Sequence, residues 1–335
     1  MRSRQQKDMR RMIFVWMILV IGLLPVAGPI PARGQEAPFP SKPIEMIVPF
    51  GAGGPIDIGT RIFGDLLSKE LNVPVVVSPR PGAGGLIAAT AYMNGKPDGY
   101  TLLATSPGGI IPTIILSKNP PFDPKKDLLP ICYVGETPAA LLVRQDSPHK
   151  SIQDLIQFAK NNPGKLIGGT SAPGTETDVD FHGLLLDAKI DCKRVPYPSG
   201  NQLRPALLGG HINWMVASYL STLPFLEEPR QMRVLLLTGK VPELPDVPVG
   251  VDIGLPNFSI GIWLGFFTHA KTPKPVYDKL VAAAAKVSKD PSLPKKFSDV
   301  GMVYGYKNPQ ETSKLIDSNW ETFSRVIQAV GMKAK

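Results

Sequence analysis

The chain is poor in the residues that build metal centres and disulfide frameworks. Among its 335 residues are two cysteines, Cys132 and Cys192, and four histidines, His149, His182, His211 and His269. None stands at metal-ligand spacing, which argues against a structural zinc site and leaves no metal or cofactor to assign. In an oxidising compartment the two cysteines have two readings, one disulfide or two buried thiols, and both stay open. Aromatic residues make up only 7% of the chain. They are not interleaved with a basic stripe, so nucleic acid is not an expected partner. Catalytic signatures are missing as well. Ser106 has no G-x-S-x-G setting, Ser171 sits in GGTSAPG, and no two carboxylates form a convincing pair. The chain reads as a non-enzyme, with no catalytic residue.

Long apolar runs are scarce too, with one exception. Met12–Gly28 is apolar, follows the basic start MRSRQQKDMRR, and precedes PIPARGQ, where Ala32 and Gly34 are spaced like a cleavage site. That pattern predicts a signal peptide over 1–34 and an exported, periplasmic protein, with an uncleaved anchor as the rival. Export also changes the charge argument. Six basic residues and one acidic residue fall within 1–34, leaving about +4 of the formal +9 to the remainder.

Proline is plentiful, at 36 residues, and punctuates alternating strand and helix patterns. Ile44–Phe50 reads as a buried strand, and Ile58, Ile62, Leu66 and Leu67 then form a helical stripe. VPVVVSP, a helix near Leu86–Met93 and DGYTLLAT continue the series. Ile131–Val143 reads as one long strand or two short ones. A second series starts at a helix capped by Ser151 and runs through GKLIGG, ETDVDFHGLLLDA, CKRVP, NQLRPALL, INWMVAS and MRVLLLTG. VPELPDVPVGVDIGLP reads as a surface connection. IGIWLGFFTHA is strand-like, and two helices follow, the last capped by Asn308 with Glu311 at the reciprocal box position. Successive βα units predict parallel sheets.

Chemistry gathers in the loops between strands and helices. Gly51, Gly53 and Gly54 lie in PFGAGGPID, with no following Lys-Ser or Lys-Thr and no dinucleotide spacing. The glycines allow a sharp turn, and the helix that begins there has unpaired first amides. The loop is therefore either a seat for a carboxylate or phosphate, or a tight structural turn. Asp57 is a candidate base or a partner for the first-turn amides. Gly84 lies in RPGAGG, Thr105 and Ser106 end DGYTLLAT, and Thr175 is a candidate helix cap after TSAPG. Tyr197-Pro198-Ser199-Gly200 is a further loop of this kind. Glu176 either stabilises its own helix start or reads a ligand.

The segments FPSKPIEMIVPFGAGGPID, VVVSPRPGAGG, KPDGYTLLAT, FDPKKDLLP, NNPGKL, RVPYPSG, LLGGHINWM and LPDVPV fall in one order from Phe39 to the last helix. Together they resemble the extracytoplasmic solute receptors of tripartite tricarboxylate transporters, the Bug-type receptors. The resemblance implies an α/β, type II-like periplasmic binding protein fold, with two α/β lobes around a ligand cleft. Lobe one would be 39–137 plus 266–335, and lobe two 138–265. It implies a monomer that binds a small carboxylate, whether a di- or tricarboxylate, an aromatic acid or an amino acid. The ligand would be delivered to integral membrane permease subunits. An exported enzyme acting on a carboxylate or phosphate ester is the alternative. Carried onto this chain, the first lobe would bind through Phe50, Gly53, Gly54, Asp57, Gly84, Thr105 and Ser106. The second would use Ser171, Thr175, Glu176, Tyr197, Ser199, Gly200 and Ala217. The chain departs from the family pattern at Pro198, at Ala217-Ser218 and at Glu176. These departures put the ligand's identity in doubt and leave the first-lobe seat intact.

Overall fold

The computed structural model describes residues 38–332 apart from Pro121, Pro198, Ser199 and Glu228. The expected signal peptide over 1–34 lies outside the described residues. The first series forms β1 (Ile44–Val48), α1 (Pro55–Leu71), β2 (Val75–Pro79), α2 (Leu86–Met93) and β3 (Thr101–Thr105). Helix α1 forms where the strand period gives way to a helical one. Pro55 suits its first turn, Ile56, Phe63, Leu66 and Leu67 bury one face, and Asn72 ends it in the left-handed region at φ 56°.

The long apolar stretch after β3 divides into two strands, β4 (Leu128–Thr137) and β5 (Ala139–Arg144), separated by Pro138 alone. Then come α3 (Ile152–Asn161), β6 (Ile167–Thr170), α4 (Glu176–Ala188), β7 (Lys193–Pro196), α5 (Gly200–Leu208), β8 (Trp214–Ser218) and β9 (Met232–Leu237). The chain ends with β10 (Ile262–His269), α6 (Lys274–Val287), β11 (Val303–Lys307) and α7 (Pro309–Ala329). Ser151 and Asp154 form a full capping box on α3, and Asn308 and Glu311 form another on α7.

The strands build two sheets, ordered β11-β4-β10-β3-β1-β2 and β7-β6-β8-β5-β9. Both are mixed, which corrects the expectation of parallel sheets. β1 runs parallel to β2 and β3, but β10 enters antiparallel between β3 and β4. Likewise β6 is parallel to β7 and β8, while β5 is antiparallel to β8 and β9. Alternating βα patterning governs the crossovers it spans. It says nothing of a strand that returns from the other sheet.

Each sheet carries apolar clusters on both faces. Phe63, Leu264 and Phe266 belong to one side of the six-stranded sheet, and Trp263, Phe267 and Phe323 to the other. The clusters of the five-stranded sheet include Phe181 and Trp214 on one side and Leu203 and Met215 on the other. Phe181 stacks on Trp214 with centroids 4.4 Å apart. Cys132 and Cys192 lie in different clusters, both buried and free, so the thiol reading holds and the disulfide does not.

The chain passes between the sheets at two adjoining places. At Pro138 the main chain leaves β4 for β5, and the Tyr219 amide donates to its carbonyl at 2.9 Å. The return runs from Thr238 to Gly261. Thr238 binds Ala139 through both main chain and hydroxyl, at 3.0 and 2.8 Å. The return is only partly a surface connection, which corrects that expectation. Val241, Val249 and Leu255 are buried, and the Leu237 amide donates to the Pro248 carbonyl at 3.0 Å. No helix among the described residues is long and apolar enough to cross a membrane.

Candidate functional site

A cavity of about 590 Å³ opens where loops of both sheets meet, within the size range of small-molecule sites. The six-stranded side contributes Phe50–Ile56, Ile58, Ser106 and Ile262. The five-stranded side contributes Ser171, Thr175–Thr177, Arg204, Ala217, Ser218, Leu220, Ser221 and Pro224. Several of these residues follow the carboxyl ends of β1, β3, β6 and β8, where open α/β sheets present their ligand loops.

The β1–α1 loop is held by one carboxylate. Gly53 has φ +79°, a conformation that favours glycine, and its N–H donates to Asp57 Oδ2 at 2.9 Å. Arg61 donates to both Asp57 oxygens, at 3.1 and 2.9 Å. Burial alone would push the Asp57 carboxyl up, but the Arg61 guanidinium and the Gly53 amide outweigh it and hold the group below its ordinary value. Asp57 does not line the cavity. It fixes the loop from behind. Gly54 caps α1 without any side-chain hydrogen bond, and a helix start leaves its first amides without intrahelical partners.

Glu176 connects the two walls. It is 5% exposed, and its Oε1 accepts from the Ser106 hydroxyl and from the Gly108 N–H, the latter at 2.8 Å. Burial pushes its carboxyl up, while these donors and its own amide pull the other way. On the same wall the Ser171 and Thr177 hydroxyls share a hydrogen bond at 2.5 Å. Thr175 stands at the cap position of α4, but its hydroxyl donates back to the Ala172 carbonyl at 2.8 Å and makes no cap bond, contrary to the cap expected for it. Asp178 serves that turn instead, accepting from the Gly174 N–H and the Thr170 hydroxyl at 2.9 Å each and from Arg194.

Of the residues singled out from the sequence, Phe50, Gly53, Gly54, Ser106, Ser171, Thr175, Glu176 and Ala217 line the cavity. Thr105 is buried behind it, donating to the Ser106 carbonyl at 3.2 Å. Gly84 is set apart, at φ 63°, with its carbonyl accepting from Thr113. The Tyr197 ring packs in the apolar cluster beside α5, and Gly200 begins that helix. Ser199 lies outside the described residues. Arg80, another candidate charge, pairs with Glu45 at 2.7 Å and is not at the cavity.

Arg204, Leu220, Ser221, Pro224 and Ile262 line the cavity without having been foreseen, and Ser218, noted as a departure from the family pattern, lines it too. Arg204 is the only basic side chain among the described lining residues. Its Nη1 donates to the Ser221 carbonyl at 2.5 Å and its guanidinium lies 5.2 Å from the Phe225 ring centre. Its position one turn inside the helix after the Tyr197–Gly200 loop was the available signal. Among the described residues no group of three or more His, Cys, Asp or Glu is placed to hold a metal ion.

The sequence profile described as "Tripartite tricarboxylate transporter family receptor" matches residues 60–332. Protein BugT of Bordetella pertussis is 27% identical over 325 residues, spanning 95% of this chain and 98% of BugT. Among solved structures, the periplasmic binding protein BugD is 27% identical with a TM-score of 0.74, covering 89% of this chain and all of that one. MatC from Rhodopseudomonas palustris, solved with bound malate, is 26% identical with a TM-score of 0.72, covering 86% of this chain and all of MatC. Two mixed sheets, a cavity between their loops and a profile match over most of the chain agree: the chain belongs to the tripartite tricarboxylate transporter receptor family, as a periplasmic solute-binding receptor.

Proposed function

We infer that the receptor captures a small carboxylate in the cavity between its sheets and delivers it to integral membrane permease subunits of a tripartite tricarboxylate-type transporter. The observation that carries this is the β1–α1 loop. It brings a glycine-rich backbone and an uncapped helix start to the cavity wall, with no Lys or Arg of its own. Backbone donors suit a planar, singly charged group, and a buried charge needs its lone pairs met. The relationship to MatC, solved with malate, supports the carboxylate class without naming the acid.

In this reading Gly53 and Gly54 form the seat with Phe50 beside it, and Asp57 braces it. Ser171, Thr175 and Ala217 belong to the opposite wall. Residues 39–137 with 266–335 and residues 138–265 act as two lobes that close on the ligand about the two crossings, and the protein works as a monomer. Residues 1–34 are a signal peptide removed near Gln35.

The test is calorimetry with monocarboxylates, dicarboxylates, amino acids and aromatic acids, each beside its amide analogue. Replacing the seated carboxylate by an amide is expected to cost roughly 2–5 kcal/mol. Equal binding of acid and amide across all hits would overturn the reading.

A further inference from the structure

We propose that Glu176 makes this receptor selective for monocarboxylates, by filling a second anion position of the cleft with the chain's own carboxylate. The proposal rests on the carboxylate reading above and concerns the donors of the loop leaving β3, the strand beside β1.

Glu176 is the first residue of α4, on the five-stranded side, yet its Oε1 accepts from two donors on the other side. The Ser106 hydroxyl and the Gly108 amide both belong to the loop leaving β3. Those neutral donors would otherwise be offered to a bound anion. Gly108 and Glu176 are fitted to each other, since a Cβ built on Gly108 would fall inside the Glu176 carboxylate. An accidental surface contact would not require a glycine opposite it.

Several polar groups of the described lining are already engaged within the chain. The Ser171 and Thr177 hydroxyls bond each other, and Ser218 Oγ lies 3.2 Å from Thr137 Oγ1. Phe50, Ile58, Ile262, Leu220 and Pro224 make the rest of the wall apolar. Arg204 is the one cation among the described lining residues, and its guanidinium is held in place by the Ser221 carbonyl and the Phe225 ring. Asp180, one turn along α4 and fully buried, adds a second acidic group behind Glu176. A carboxylate arriving there would meet a buried carboxyl at close range, and two such groups cannot both ionise without a large penalty. An apolar body, or a neutral donor directed at Glu176, meets no such penalty. The ligand class that fits is a monocarboxylate whose remainder is apolar or carries a hydrogen-bond donor.

The experiment is calorimetry at pH 7.5 on the wild type and on Glu176→Gln, with paired probes: hexanoate against adipate, and benzoate against terephthalate. Glu176→Gln keeps an acceptor for Ser106 and Gly108 and removes the acidic group. The wild type is expected to prefer the monoacid of its better pair by roughly 30-fold or more, and Glu176→Gln to narrow that ratio about tenfold. Wild-type binding of the diacid as tightly as the monoacid overturns the proposal and leaves the carboxylate reading intact. An unchanged ratio in Glu176→Gln overturns the role of this side chain. If that variant does not fold, Glu176→Ser is measured in its place, with the same expectation. Failure to distinguish any acid from its amide overturns the carboxylate reading itself, and this proposal with it.

Discussion

Asp180→Ala removes a single side chain that holds the return crossing to α4. Asp180 is fully buried, and it accepts from three successive amides, Ser259 N at 3.1 Å, Ile260 N at 2.9 Å and Gly261 N at 3.4 Å. These amides lead directly into β10 of the other sheet. Ile260 and Gly261 are buried, whereas Ser259 is half-buried, so water can replace its partner. Two buried donors are therefore orphaned, at about 1–3 kcal/mol each, or about 2–6 kcal/mol in total. At about 2 °C per kcal/mol for a chain of this size, the expected loss is about 4–12 °C in Tm at pH 5.

The loss also depends on pH. Burial pushes Asp180 from its ordinary 3.8 up to about 7, against the pull of the three amides and with the Glu176 carboxylate adding to the rise. A carboxyl whose folded value is raised contributes stability that is fully present below the unfolded value and lost as pH rises through the folded one. Ionising Asp180 in the folded wild type thus costs up to about 4 kcal/mol between pH 4 and 8, a cost the alanine variant never meets. The gap between wild type and Asp180→Ala is expected to be larger at pH 5 than at pH 8. Thermal unfolding followed by circular dichroism at both pH values measures this. A variant within 1 °C of wild type at pH 5, or a gap that widens as pH rises, would refute the reasoning.

Gly168→Ala places a methyl against the stacked Phe181 and Trp214 rings, 2.6 Å from the nearest Trp214 carbon, and is expected to cost about 1–3 kcal/mol in urea unfolding; an unchanged midpoint would contradict the packing described. The mass of the exported protein should correspond to a chain beginning at or within a few residues of Gln35, and a full-length mass in the membrane fraction would rule out the cleaved signal peptide.

Much of the element list was legible because it depends on short-range physics. The stripe of α1, the boundaries of α2 and α4, and the capping boxes of α3 and α7 each involve residues within a few positions of one another. The short helix Leu293–Ser298 and strand β11 escaped notice, being brief and carrying no clear period. The glycine-rich loop announced itself for the same local reason: its glycines and the helix start are adjacent in sequence.

What the cavity does with those loops was not legible. Glu176 meets Ser106 and Gly108 across separations of 70 and 68 residues, and no local pattern states that such segments will touch. Seen alone, Glu176 is an ordinary acidic residue in a first helical turn. Arg204 reaches the lining only because α5 packs beside the turn after β8, and Gly84 and Tyr197 are drawn away from it by their own local packing. The sequence by itself determined the export signal pattern, the α/β alternation and the amide-bearing loops, because periodicity, capping and glycine freedom act over a few residues. The tertiary structure alone decided that β10 returns antiparallel, that Asp180 clasps the crossing and that a carboxylate of the chain occupies donors across the cleft. Those outcomes depend on which distant surfaces bury each other.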